Sequence, residues 1–169
     1  GQITLGGWVS TNYAAVACVD FPTCHGQWLP SMDFANGFHL TQHIGPNYLG
    51  GQLDNDARTA IHVTHRLGAL LVTLVLLILA WRLRTQGFSR LAGLLLLALA
   101  VQISLGISNV LLQLPLAVAV AHNIGGACLL LVLVLINYRL RSPTLFSKVT
   151  AAVAPLEKPL ETSQNLLRR

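Results

Sequence analysis

The 169-residue chain is 53% hydrophobic but only 10% charged, against the roughly 25% charge of an ordinary soluble domain. Its net charge of +5 comes without any run of basic residues interleaved with aromatics, so the excess reports membrane topology and excludes nucleic-acid binding. No charge falls between Arg66 and Arg82 or between Arg90 and Arg139, which leaves room for membrane spans.

The chain opens on Gly1-Gln2-Ile3-Thr4-Leu5-Gly6-Gly7-Trp8-Val9, apolar, with no initiator Met and no signal-peptide n-region before it. This segment reads as the end of a truncated helix and the chain as a fragment of a longer protein. A long connection follows, about Ser10–Arg58, rich in Gly, Asn, Asp and Pro. Its aromatics Phe21, Trp28, Phe34, Phe38 and Tyr48 are expected to pack as a lid. Three apolar stretches come next, roughly Ala60–Trp81, Leu91–Leu112 and Leu114–Tyr138, each reaching the ~20 residues a bilayer requires. The last two are joined by little more than Gln113-Leu114-Pro115, with Pro115 placed to open the final helix. From Ser142 onward, Pro143, Pro155 and Pro159 mark a loosely ordered tail.

Arg82, Arg84 and Arg90 crowd the middle connection, and Arg139, Arg141, Lys148, Lys158, Arg168 and Arg169 follow Tyr138. The long Ser10–Arg58 connection has only Arg58. The positive-inside rule therefore puts the Arg-rich connection and the C-terminus in the cytoplasm and the long loop outside, for a multi-pass protein of the cell's inner membrane.

The second and fourth apolar segments are copies. Val63-Thr64-His65-Arg66-Leu67-Gly68 through Trp81-Arg82-Leu83-Arg84 aligns without a gap on Val120-Ala121-His122-Asn123-Ile124-Gly125 through Tyr138-Arg139-Leu140-Arg141, offset by 57. A weaker repeat relates Gln2-Ile3-Thr4-Leu5-Gly6 to Gln102-Ile103-Ser104-Leu105-Gly106. Leucine-rich helices resemble each other by composition, but composition does not supply coincident Gln, Gly, His and Arg. The expected fold is all-α: a polytopic membrane four-helix bundle, its first helix truncated, built from two repeated helix pairs. Residues 1–141 form the bundle and 142–169 the tail.

His65 and His122 are the chemistry-bearing pair. A lone intramembrane His more often bonds a neighbouring helix. Two at equivalent positions and one depth instead suit bis-histidine ligation of a haem iron. Gly68 and Gly125, one turn inward, would let a porphyrin edge lie against the helix, although small residues also serve plain helix packing. Arg66 and Arg58, at the outer end of the helix, suit haem propionates, Arg58 equally a snorkelling interfacial charge. His62 shares a face with His65 and suits a propionate bond or proton handling.

Cys18 and Cys24 flank Val-Asp-Phe-Pro-Thr on the outer side. In an oxidising compartment they are expected to form a disulfide. Zinc binding with His25 lacks a fourth ligand, and covalent haem attachment wants a tighter C-x-x-C-H spacing. Cys128 reads as a packing residue, and His39 and His43 as solvated loop residues. No Ser/His/Asp set, phosphate loop or intramembrane carboxylate is visible.

Together Gln2-Ile-Thr-Leu-Gly-Gly-Trp-Val, the loop cysteines, Ala60-Ile-His-Val-Thr-His65-Arg66-Leu-Gly-Ala and Ala121-His122-Asn-Ile-Gly-Gly-Ala resemble the second half of the haem A synthase family, COX15/CtaA, over residues 1 to about 141. The resemblance implies an eight-helix protein of two similar halves that oxidises a methyl of haem O to the formyl of haem A for terminal oxidases. It implies that this half holds haem b for electron transfer, with His65 and His122 as axial ligands, and that Cys18 and Cys24 match an outer-loop disulfide. Further expected partners are the missing N-terminal half, membrane lipid and a contact with haem O synthase; the electron acceptor is open. The family's first half carries a Glu three residues before its own His-Arg pair, where this chain has His62. The fragment alone is therefore expected to be catalytically incomplete. Two other readings compete with the enzyme half: a stand-alone b-type membrane cytochrome transferring electrons, and a haem-free structural or transport bundle.

Overall fold

Five α-helices and one 3-10 turn run through residues 1–39 and 53–141, which the computed structural model describes; among these residues no strand forms. His43 and Tyr48 of the long connection, and the tail 142–169, lie outside the described residues. The helices are α1 (Gln2–Thr11), α2 (Phe34–Gly37), α3 (Asn55–Thr85), α4 (Ser89–Leu111) and α5 (Leu116–Arg141), with the 3-10 turn at Ala14–Val16. By its contacts the chain divides into two compact units, Gly1–Leu130 and Leu131–Arg169. The described part of the second is the C-terminal end of α5, with Arg139 and Arg141 in its last turn.

Three helices, α3, α4 and α5, are long and apolar enough to cross a membrane. Their outward side chains confirm the environment. Leu67, Leu70, Leu71, Leu74 and Ile78 of α3 are each more than half exposed. Water would penalise such a continuous stripe, whereas acyl chains solvate it. The protein is a polytopic membrane helical bundle.

Local signals fix the helix ends. α3 begins at Asn55, about five residues before the apolar stretch, because the Asp54 carboxylate accepts from the Ala57 amide (2.9 Å). Asp56 in the first turn, and Arg82 and Arg84 in the last, complement the helix dipole. Hydropathy does not register this polar first turn. Gly87, at φ +86°, then lets the Phe88 amide donate back to the Leu83 carbonyl (2.8 Å). α4 closes in the same way, Leu114 donating to Asn109 (2.8 Å). Leu114, expected at the start of the last span, sits instead in that left-handed turn, and Pro115 opens α5 by accepting from the Ala119 amide (3.0 Å).

Within the first unit α3 is the central element, packing on α1, α2, the 3-10 turn and α4. Leu76, Ala80 and Leu83 recur at helical spacing and are buried, as are Ala92, Leu95 and Leu99 of α4. At the other end of α3, Val9, Ala14, Leu53, Ala57 and Ile61 form an apolar cluster against Trp8, Ala15 and Phe38. The expected aromatic lid is only partly formed. Phe38 stacks on Phe34 with ring centroids 6.4 Å apart, while Trp28 is 80% exposed.

The lid is fastened where backbones touch. The Trp8 indole donates to the Gly37 carbonyl (2.9 Å), and a Cβ on Gly37 would stand 2.8 Å from the Ala57 carbonyl oxygen. Gly37→Ala is therefore expected to push α2 off α3 and lower stability by about 1–3 kcal/mol. Thermal unfolding in detergent measures the loss.

Candidate functional site

His65 and His122 each sit in the same small cluster. On α1, Gln2 donates from Nε2 to the His65 carbonyl (3.0 Å) and places that nitrogen 3.1 Å from His65 Nδ1. On α4, Gln102 Nε2 lies 3.4 Å from His122 Nε2. Glycines complete the match. A Cβ on Gly6 would stand 3.3 Å from His65 Cε1, and one on Gly106 3.1 Å from His122 Cε1. The sequence repeat is thus a repeat of contacts, with α1 against α3 matched by α4 against the N-terminal half of α5.

Of the two readings of Gly68 and Gly125, close helix packing is the one their surroundings display. A Cβ on Gly68 would collide with Gln2 Oε1 and approach Leu5 Cδ1 (3.2 Å). A Cβ on Gly125 would collide with Gln102 Oε1 and approach Leu105 (3.6 Å). The missing side chains make room for the glutamine amides, so this space is filled by the protein itself. Gln2 Oε1, Gln102 Oε1 and His122 Nδ1 are nonetheless buried without a hydrogen-bond partner among the described residues. In a water-free interior each such atom is costly, by about 1–3 kcal/mol.

Arg66 and His62 face the lid. The Arg66 guanidinium donates from Nη1 to the Thr23 carbonyl (2.9 Å) and from Nη2 to the carbonyls of Asp20 (2.9 Å) and Cys18 (3.5 Å). Its Cζ lies 5.7 Å from the Phe21 ring centroid. Arg66, expected opposite haem propionates, here clasps the cysteine loop. His62 is buried and donates from Nδ1 to the Ala14 carbonyl (2.9 Å), within electrostatic reach of Arg66 and His65. Arg58 turns its Nε to the Leu53 carbonyl (2.9 Å), tying down the start of its own helix.

The loop that Arg66 holds is closed at its base. The sulfurs of Cys18 and Cys24 lie at bonding distance, 2.08 Å, and both residues are buried. Inside it the Asp20 carboxylate accepts from the Thr23 hydroxyl and from the amides of His25 and Gly26. The Thr23 bond first, then the amides, pull the Asp20 pKa down from 3.8 to about 2. His25 is not drawn toward the sulfurs to make a metal site; its Nε2 lies 3.4 Å from Asn55 Nδ2. Cys128 is a free, exposed thiol on α5. Sequence reasoning missed the glutamines as working residues. The signal was present in a polar residue recurring at matched positions of two membrane helices.

Three long apolar helices, two of them carrying a histidine at matched positions of the repeat, define a polytopic helical membrane protein. The chain belongs to the COX15-CtaA family, described as cytochrome oxidase assembly protein, whose family model matches residues 1–134. It is 49% identical over 139 residues to the heme A synthase of Shewanella oneidensis, covering 82% of this chain and 42% of that protein. Identity to the heme A synthase of Nitrosospira multiformis is 34% over 146 residues, covering 83% of this chain and 37% of the relative. For that of Methylobacterium radiotolerans it is 36% over 129 residues, with 73% and 32% covered. The chain therefore spans about two fifths or less of the length of these relatives. No solved structure matches it.

An ionised Asp20 stabilises the loop fully above pH 3.8, and this contribution disappears as pH falls through about 2. The Asp20 carboxyl ¹³C shift is expected to titrate near pH 2, and amide exchange at Gly26 to quicken over the same interval. Asp20→Ala should quicken that exchange above about pH 2 and remove its pH dependence over that interval.

Proposed function

We propose that this chain is the haem-b-holding part of a haem A synthase, with His65 and His122 as the two axial ligands of the iron. The observation that carries the reading is the twinned cluster: one imidazole, one glutamine and two glycines, present once on α1 and α3 and again on α4 and α5. The donor set fits the group. Two neutral imidazoles are what a low-spin haem iron takes, and the unpartnered His122 Nδ1 and glutamine oxygens are buried polar atoms that await a partner. The names of the relatives support haem O as substrate and haem A as product of the whole protein.

Haem b held by these imidazoles would supply one-electron transfer. The work of this chain's own residues is to bind and orient. His65 and His122 supply the ligand nitrogens, and Gly6 and Gly106 keep the ring edges clear of side chains. Arg66 holds the Cys18–Cys24 loop over the end of α3, where a disulfide keeps it closed. His62 anchors α3 to Ala14 beneath the lid. Oxidation of the haem O methyl falls to parts of the protein outside this chain. The distribution of Arg and Lys supports an inner-membrane location with the lid outside and the Arg82–Arg90 connection in the cytoplasm.

A reduced-minus-oxidised absorption spectrum of the detergent-solubilised, haem-supplied chain tests this. A low-spin b-type signal is expected in the wild type and should vanish in both His65→Ala and His122→Ala. A variant that keeps the signal unchanged overturns the ligand assignment.

A further inference from the structure

We infer that Gln2 and Gln102 are positioning residues for the axial imidazoles, each fixing the plane and protonation of one ring through its carboxamide. The inference rests on the haem-ligand reading above. Each glutamine reaches a ring nitrogen of the histidine on the neighbouring helix, at 3.1 Å for Gln2 and 3.4 Å for Gln102. Both also have an amide oxygen that is buried and unpartnered, seated over Gly68 and Gly125 respectively. The arrangement recurs at both members of the repeat, on opposite sides of a 100-residue offset. The ring nitrogen reached is Nδ1 in His65 and Nε2 in His122, so in each ring the opposite nitrogen is the one left for a metal.

The chemistry explains why the residue is glutamine. A neutral imidazole has one N–H and one bare nitrogen. When a metal takes the bare nitrogen, the other must carry the proton and donates it to an acceptor. Before ligation the nitrogen facing the glutamine can be bare and needs a donor. A half-turn of the carboxamide exchanges its NH₂ and C=O at nearly fixed volume, at the cost for Gln2 of its bond to the His65 carbonyl, so one side chain can serve both states. The oxygens now over the two glycines are the acceptors held in reserve. Leu offers neither function, and Glu offers only the acceptor, with a full charge. Acceptor strength at the distal nitrogen sets ligand basicity, and a more basic imidazole favours the ferric iron.

The test is potentiometric, on the full chain in detergent, with wild type, His65→Ala, Gln2→Leu, Gln2→Glu, Gln102→Leu and Gln102→Glu in parallel. The Leu variants are expected to bind haem 10–100-fold more weakly, with the midpoint potential of the bound fraction raised. The Glu variants should keep haem and shift the potential the opposite way. Opposite shifts cannot come from loosened packing, which would move Leu and Glu variants together. Shifts of one sign in both, or unchanged potential and affinity in all four while His65→Ala loses haem, overturn the positioning role and leave the ligand assignment intact. A wild type without haem overturns the reading beneath it, and this inference with it.

Discussion

Everything at the centre of this bundle follows from placing two imidazoles where there is no water to meet their nitrogens. A buried polar group without a partner costs far more than a single interhelical hydrogen bond returns, the latter being about 0.6 kcal/mol on average in membranes. The partner must therefore come from a neighbouring helix at short range. Gln2 and Gln102 supply it, and they fit because Gly68 and Gly125 present bare backbone to their amides. Close helix approach and polar satisfaction are one requirement here. Adding a methyl to either glycine would break both.

The lid depends on the same stretch of helix. α3 carries His65 toward the bundle and Arg66 toward the cysteine loop, and its polar first turn receives α2 and the 3-10 turn. The loop is held twice over, at its base where the Cys18 and Cys24 sulfurs lie at bonding distance and from inside by the hydrogen bonds of the Asp20 carboxylate. Its outward backbone carbonyls would otherwise lack donors near an apolar surface. A single guanidinium, with donors spread over a rigid plane, meets three of them. That economy explains an arginine at this position independently of any ligand.

Much of this was legible in the chain itself. Length, hydropathy and charge gaps located the three spans, and the gapless repeat picked out His65 and His122 because polar coincidences between membrane helices are not accidents of composition. The cysteine spacing announced the closed loop. What the sequence concealed were pairings across long separations. Nothing local to Gln2 says that it will meet His65, and nothing local to Arg66 says that it will meet Thr23. The glycines stayed ambiguous for a related reason. An absent side chain announces that something comes close, but not whether that something is a cofactor or a glutamine. Asp54 and Asp56 extended α3 past its apolar limits because capping is electrostatic and local, and hydropathy averages it away.

His65 and Arg66 are consecutive, so on a helix they point about 100° apart. One is gripped by Gln2 and the other by three carbonyls of a cross-linked loop. Two grips at that angle oppose rotation of α3 about its own axis in both senses. Any roll of α3 that carried the imidazole off Gln2 would also have to draw Arg66 off its carbonyls, so the cysteine loop works as a torsional stop.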